Sequence, residues 1–154
     1  MEAVSIHAES PLQPAIQTLI GLSNAYSASL YPTEGRHPAD LERLAAPDVR
    51  FFVARRGEVA IGCAALLVSA PTGEIKRMFV TSEARGLGIG QALLAALEQT
   101  AHAEGVDLLK LETGPRNAAA LALYSAHGYQ PCGAFPPYKT SPHSVFMEKP
   151  LNGA

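Results

Sequence analysis

The chain lacks tryptophan, has two cysteines, and carries few charges: 12 Lys or Arg and 14 Asp or Glu among 154 residues. Cys63 and Cys132 lie far apart and outside any CxxC spacing. That argues against a disulfide framework or a zinc site and for a reduced, cytoplasmic setting. The five histidines, His7, His37, His102, His127 and His143, show no metal-ligand spacing, so no metal is expected. A net charge of −2 without any block of like charges provides no basic surface for nucleic acid. No apolar run approaches the roughly 20 residues that span a bilayer. The start, Met1-Glu2-Ala3-Val4, has neither the basic nor the apolar section of a signal peptide. What remains is a chain that is 47% apolar, expected to form a single domain over residues 1–154 with a sizeable core.

The chemistry is concentrated in one stretch. Arg85-Gly86-Leu87-Gly88-Ile89-Gly90 stands between an apolar strand, Glu74-Ile75-Lys76-Arg77-Met78-Phe79-Val80, and a long helical pattern from Gln91 to Glu104. Glycines at 86, 88 and 90 remove the Cβ atoms that would keep a ligand off the backbone. A helix opening straight out of such a turn presents its first free N–H groups to phosphate oxygens. Arg85 adds a charged donor at the mouth. A P-loop would end in Gly-Lys-Ser/Thr, but Gly90 is followed by Gln91-Ala92. A dinucleotide fingerprint counted from Gly86 meets Gln91 where its third glycine is due, although Glu112 stands about where a ribose-binding acid would. A third pattern, Q/R-x-x-G-x-G/A, is met by Arg85, Gly88 and Gly90.

The rest of the chain alternates cleanly. Val4 to His7 reads as a strand and Pro11 to Leu30 as a helix, with Ser10 as N-cap and Leu12, Ile16, Leu19, Ile20 and Leu22 near helical spacing. A polar break at Tyr31–His37 precedes a short helix starting near Pro38 or Ala39, with Leu41 and Leu44 inward. Val49–Ala54 and Val59–Ser69 form a hairpin across Arg55-Arg56-Gly57-Glu58, whose arginines are read as solvated turn residues. Ala70–Gly73 turns the chain into Glu74–Val80, antiparallel to its predecessor. After the glycine turn, Gly88–Glu104 is a helix capped by Gly105. Val106–Glu112 follows as a parallel neighbour of Glu74–Val80, because a helix separates them. Asn117–His127 is a last helix, and Tyr129–Cys132 and Val145–Lys149 are two final strands.

The order β-α-α-β-β-β-α-β-α-β-β, together with the Arg85–Gly90 turn, resembles the GNAT superfamily of N-acetyltransferases. Asn117-Ala118-Ala119-Ala120-Leu121-Ala122-Leu123-Tyr124-Ser125-Ala126-His127-Gly128-Tyr129 is similar to a second signature of that superfamily, N-x-x-A-x-x-L-Y-x-x-x-G-F/Y. Glu-Ile-Lys-Arg-Met-Phe-Val, Leu-Glu-Thr-Gly and Val-Phe-Met-Glu-Lys resemble small bacterial members whose acceptors are poorly assigned. The resemblance implies an α/β (α+β) fold, with a mixed central sheet of six to seven strands flanked by about four helices.

It also implies an acetyl-CoA co-substrate. The backbone of Met78, Phe79 and Val80 would pair with the pantetheine arm. Arg85, Gly86, Leu87, Gly88, Ile89, Gly90 and Gln91 would hold the pyrophosphate, and Asn117 the coenzyme arm. The Tyr124 hydroxyl would lie near the thioester sulfur as a proton donor. Glu74 lies eleven residues before Arg85, where the histone acetyltransferase branch carries its glutamate, and is the candidate base. An amine arrives as ammonium and must lose a proton before it attacks. The implied reaction is direct transfer to a primary amine, without an enzyme nucleophile.

Lys76 and Arg77 break the apolar run of a central strand and are expected to line the acceptor cleft. Arg36, His37, Arg77 and Tyr138 suit an acceptor bearing a carboxylate, such as an amino acid. Two alternatives compete: a binding module that holds acetyl-CoA without turnover, and an NAD-dependent oxidoreductase resting on Gly86, Gly88 and Glu112. A homodimer through the C-terminal strands is expected from the resemblance alone.

Overall fold

The computed structural model describes residues 3–31 and 41–151. Seven strands form one sheet in the order β1-β2-β3-β4-β5-β7-β6. They are β1 (Val4–Ala8), β2 (Val49–Arg56), β3 (Val59–Ser69), β4 (Thr72–Val80), β5 (Leu108–Thr113), β6 (Gln130–Cys132) and β7 (Val145–Pro150). Four helices accompany them: α1 (Pro14–Leu30), α2 (Leu41–Leu44), α3 (Ile89–Ala103) and α4 (Ala118–Ala126).

The two faces of the sheet are buried separately because side chains alternate along a strand. On one face Ala64 and Leu66 of β3, with Ile75, Leu109 and Leu111, pack under Leu93, Leu94 and Leu97 of α3. On the other, Cys63 and Ala65, with Phe51 and Val53, meet Ile16, Leu19 and Ile20 of α1. Each buried leucine contributes about 1.5–3 kcal/mol, so α3 is pinned firmly and carries its N-terminus to a set place. Burial pushes the Cys63 thiol up to about 12; it is a small core residue, as its apolar surroundings in the sequence suggest.

Several boundaries differ from expectation. Helix α1 starts at Pro14, with Gln13 as its N-cap, rather than at Pro11. A start at Pro11 would place Pro14 where its missing N–H and its ring disrupt the first helical hydrogen bond, whereas proline fits the first position. The Ser10 hydroxyl instead accepts from the Leu12 N–H at 3.1 Å. Leu12 and Leu22 are exposed, so the buried stripe of α1 is narrower than its leucines suggest. The start expected for α2 falls at Pro38 or Ala39, outside the described residues.

The Arg55-Arg56 pair belongs to β2. Arg55 is an anchor rather than a solvated turn residue: its guanidinium donates to both carboxylate oxygens of Glu9 at 2.9 Å and to Gln13 Oε1 at 3.0 Å. A 3₁₀ turn at Ser82–Ala84, absent from the sequence reading, joins β4 to the glycine turn.

Candidate active site

The site begins where the sheet comes apart. β4 pairs in parallel with β5 only from Thr72 to Ile75, ending at Ile75 opposite Leu111. Beyond that point β5 stays with β7 as far as Thr113 opposite Val145. β4 stays with β3, with Phe79 opposite Cys63 and Val80 opposite Gly62. The register of that ladder shifts between Cys63 and Ala65, opposite Arg77, which sits at φ 58°. This is a bulge that turns β4 away from its parallel neighbour. One backbone edge of the segment 77–80 thus faces a cleft of about 600 Å³ instead of a strand.

The N-terminus of α3 closes one end of this cleft. Gly88, at φ 76°, is its N-cap, and no side chain among the described residues caps it. Gly86 is likewise left-handed at φ 85°, a conformation that other residues adopt only with strain. Among the described residues, a Cβ on Gly86 would meet nothing within 4 Å, and one on Gly88 only the Gln91 Oε1 at 3.9 Å. The space above these amides is open, as a phosphate cradle requires. Gly90 has a different reason: a Cβ there would press on Leu123 Cδ2 at 3.1 Å, so it lets α3 and α4 approach. Leu87 stands half exposed and outside the cleft wall, whereas Arg85, Gly86, Gly88, Ile89, Gly90 and Gln91 line it. The Arg85 guanidinium lies over the Tyr26 ring, 5.2 Å from its centroid.

Helix α4 supplies Tyr124. Asn117 caps that helix, its Oδ1 accepting from the Ala120 N–H at 3.2 Å, and it lines the cleft together with Leu123 and Tyr124. Tyr124 is 4% exposed and packs edge-on to Tyr129, with ring centroids 5.6 Å apart. Burial holds its phenol well above the usual value, so the hydroxyl is a proton donor throughout the working pH range. Among the described residues nothing hydrogen-bonds that hydroxyl.

Glu74 lies on the paired part of β4, just before the split. Burial raises its pKa, while the Tyr138 hydrogen bond, Lys76 and Arg43 pull it down and Glu112 pushes it up. The Tyr138 hydroxyl donates to Glu74 Oε2 at 2.6 Å. Arg77 lines the cleft too, but its guanidinium donates to Asn24 Oδ1 at 2.7 Å and Ser23 Oγ at 3.3 Å, tying β4 to α1. Arg36 and His37 lie outside the described residues.

The site also includes groups the sequence reading passed over. Ser23, Tyr26 and Leu30 of α1 line the cleft, and they continue the stripe of Ile16, Leu19 and Ile20 at helical spacing. The signal was present where that stripe turns polar at Ser23. Tyr31 follows the end of α1, and its hydroxyl accepts from the Arg116 N–H at 2.8 Å. A Cβ on Gly114 would overlap that phenol. Glu112, noted in the sequence only where a ribose-binding acid would stand, lines the same cleft and accepts from the Ser144 hydroxyl at 2.8 Å.

The model of the Acetyltransferase (GNAT) family matches residues 19–129, which span the glycine turn and the Asn117–Tyr129 segment. The chain belongs to the GNAT family. It is 47% identical over 153 residues to an IAA acetyltransferase from Azospirillum brasilense, covering 98% of this chain and 100% of that protein. Among solved structures, a protein from Klebsiella pneumoniae described as an acyl-CoA N-acyltransferase superposes with a TM-score of 0.85 at 37% identity, over 96% of this chain and 97% of that one. The PaiA N-acetyltransferase of Thermoplasma acidophilum, solved in complex with coenzyme A, shares the fold with a TM-score of 0.74 at 19% identity, over 96% and 99% of the two chains. The seven-stranded mixed sheet with four helices is the GNAT acyltransferase fold. Activity as a GNAT N-acetyltransferase follows, and the oxidoreductase and turnover-free alternatives give way to it. No helix among the described residues is long and apolar enough to cross a membrane.

Proposed function

We propose that this enzyme moves the acetyl group of acetyl-CoA directly onto the primary amine of a small acceptor that also bears a carboxylate. The observation that carries the reading is the parting of β4 from β5 after Ile75. It leaves an unpaired strand edge between an uncapped helix N-terminus and a buried tyrosine. The backbone of Met78, Phe79 and Val80 would pair with the extended pantetheine arm, as a peptide adds to a sheet edge. The amides from Gly86 to Gln91, Leu87 included, would take the pyrophosphate with Arg85, and Asn117 would lie along the arm. Acetyl-CoA supplies an acetyl thioester, a reactive acyl group on a thiolate leaving group.

The chain's own groups do the rest. Glu74 accepts a proton from the incoming ammonium, directly or through one water, and its burial raises its basicity toward that task. Tyr124, kept protonated by burial, offers its proton where the thiolate departs. Holding both reactants in one cleft supplies much of the acceleration.

The acceptor end supports an amino-carboxylic substrate because it carries both signs. Glu74 and Glu112 suit an ammonium, while Lys76, Arg43 and His143, beside Tyr138, suit a carboxylate. Arg36, His37 and Arg77 remain part of that proposed set. The name of the A. brasilense relative, IAA acetyltransferase, is compatible with a small-molecule acceptor. A screen of free amino acids against spermidine, with thiol release as readout, tests the reading. A clear preference for spermidine would overturn it.

A further inference from the structure

The structure assigns Tyr138 a positioning role: one hydrogen bond from the loop between β6 and β7 holds the Glu74 carboxylate toward the incoming amine. This rests on the reading of Glu74 as the base. Tyr138 itself need not touch the acceptor for the effect to operate.

Tyr138 is fixed on every side. Its N–H donates to the Phe135 carbonyl at 2.8 Å, closing a turn within the loop. Its ring is edge-on to Phe135 at 5.3 Å and tilted against Phe146 at 5.8 Å. Phe135 is itself edge-on to Phe146, at 5.5 Å. Lys76 Nζ caps the Tyr138 ring, 5.5 Å from the centroid. A phenol locked in this way has one direction for its O–H, and that direction is Glu74 Oε2 at 2.6 Å. The same loop ends on the second carboxylate of the cleft, with the Ser144 hydroxyl on Glu112 Oε2. One loop therefore governs both acids.

The chemical consequence follows from what surrounds Glu74. Lys76 on its own strand, Glu112 on β5, Arg43 on α2 and Tyr138 on the loop act on it, and His143 lines the same cleft. Burial and Glu112 favour the protonated acid, which cannot act as a base. The Tyr138 hydroxyl is a short donor to the ionised form, so it keeps the carboxylate available. It also occupies one oxygen and leaves the other to receive the proton.

The test compares wild type, Y138F and E74Q. In protein labelled with ¹³Cδ-glutamate, the resonance that disappears in E74Q reports Glu74, and no acceptor is needed. Its titration midpoint should move up in Y138F, because the substitution removes the donor and keeps the ring. In thiol-release assays with acetyl-CoA and the fastest amine from the acceptor screen, the Y138F-to-wild-type ratio of kcat/KM should fall about fivefold from pH 9 to a pH one unit below the wild-type Glu74 midpoint that the resonance reports. Taking the ratio cancels the acceptor's own titration. If E74Q drops the rate at least tenfold while the Glu74 midpoint and the ratio stay unchanged in Y138F, the positioning role of Tyr138 is wrong and the base reading stands. If E74Q keeps the wild-type rate, the base reading fails and this inference fails with it.

Discussion

Replacing Tyr124 by phenylalanine separates a chemical role from a structural one. The residue is 4% exposed and lines the cleft, its hydroxyl has no hydrogen-bond partner among the described residues, and the ring is held by its edge contact with Tyr129. Deleting a hydrogen-bonded buried hydroxyl strands its partner and costs about 1–3 kcal/mol. Deleting one without a partner strands nothing, so the stability change should stay within about 1 kcal/mol. The rate is another matter. A positioned acid is worth about 10²- to 10⁴-fold, and Y124F should lose about 10²-fold in kcat with little change in KM for acetyl-CoA. Because burial holds the phenol above its usual value, the loss should be the same at pH 6.5 and pH 9. Thiol release under saturating substrates measures kcat, and calorimetry measures stability. A kcat within twofold of wild type, or a stability loss above about 2 kcal/mol, would show that Tyr124 is a packing residue and refute the acid role.

Three further outcomes are expected. Arg85→Ala should raise KM for acetyl-CoA about tenfold by removing a charge-assisted donor; Tyr26→Ala, which removes the ring beneath that guanidinium, should raise it by a smaller factor, with kcat nearly unchanged in both. Gly114→Ala should cost about 2–3 kcal/mol in denaturant unfolding, since the new Cβ overlaps the Tyr31 phenol; a loss under 0.5 kcal/mol, on the order of a surface substitution, would show that the contact yields easily. For Glu74 the folded state holds the proton more tightly than the unfolded chain does. The stability tied to that proton is therefore complete below the unfolded carboxylate value of about 4.3 and is lost as pH rises through the folded value. E74Q avoids this loss, so its Tm should exceed that of wild type at pH 8 and the gap should close near pH 4. A lower Tm for E74Q at pH 8 would contradict this.

Much of the molecule was legible from the sequence alone. Element order, the glycine turn opening into a helix, the helix that begins near Asn117 and the parallel pairing of β4 with β5 all follow from short-range rules. They depend on backbone freedom, on the spacing of apolar residues, and on whether a helix separates two strands. The same rules failed where a neighbour distant in the chain decided the outcome. Arg55 looked like a turn residue because Glu9 lies 46 positions away, and a second reason for glycine at position 90, the Leu123 side chain packed against it, could not be seen. The site divides along the same line. Tyr124 and Glu74 could be named from what the resemblance to the GNAT superfamily implies for their positions. Tertiary structure alone ended the β4–β5 ladder at Ile75 and opened the cleft, brought Tyr138 onto Glu74 across 64 positions, and set Tyr26 under Arg85. The physical reason is range: backbone preferences act over a few residues, whereas which side chains meet depends on sheet order and register, which the packing of the whole chain selects.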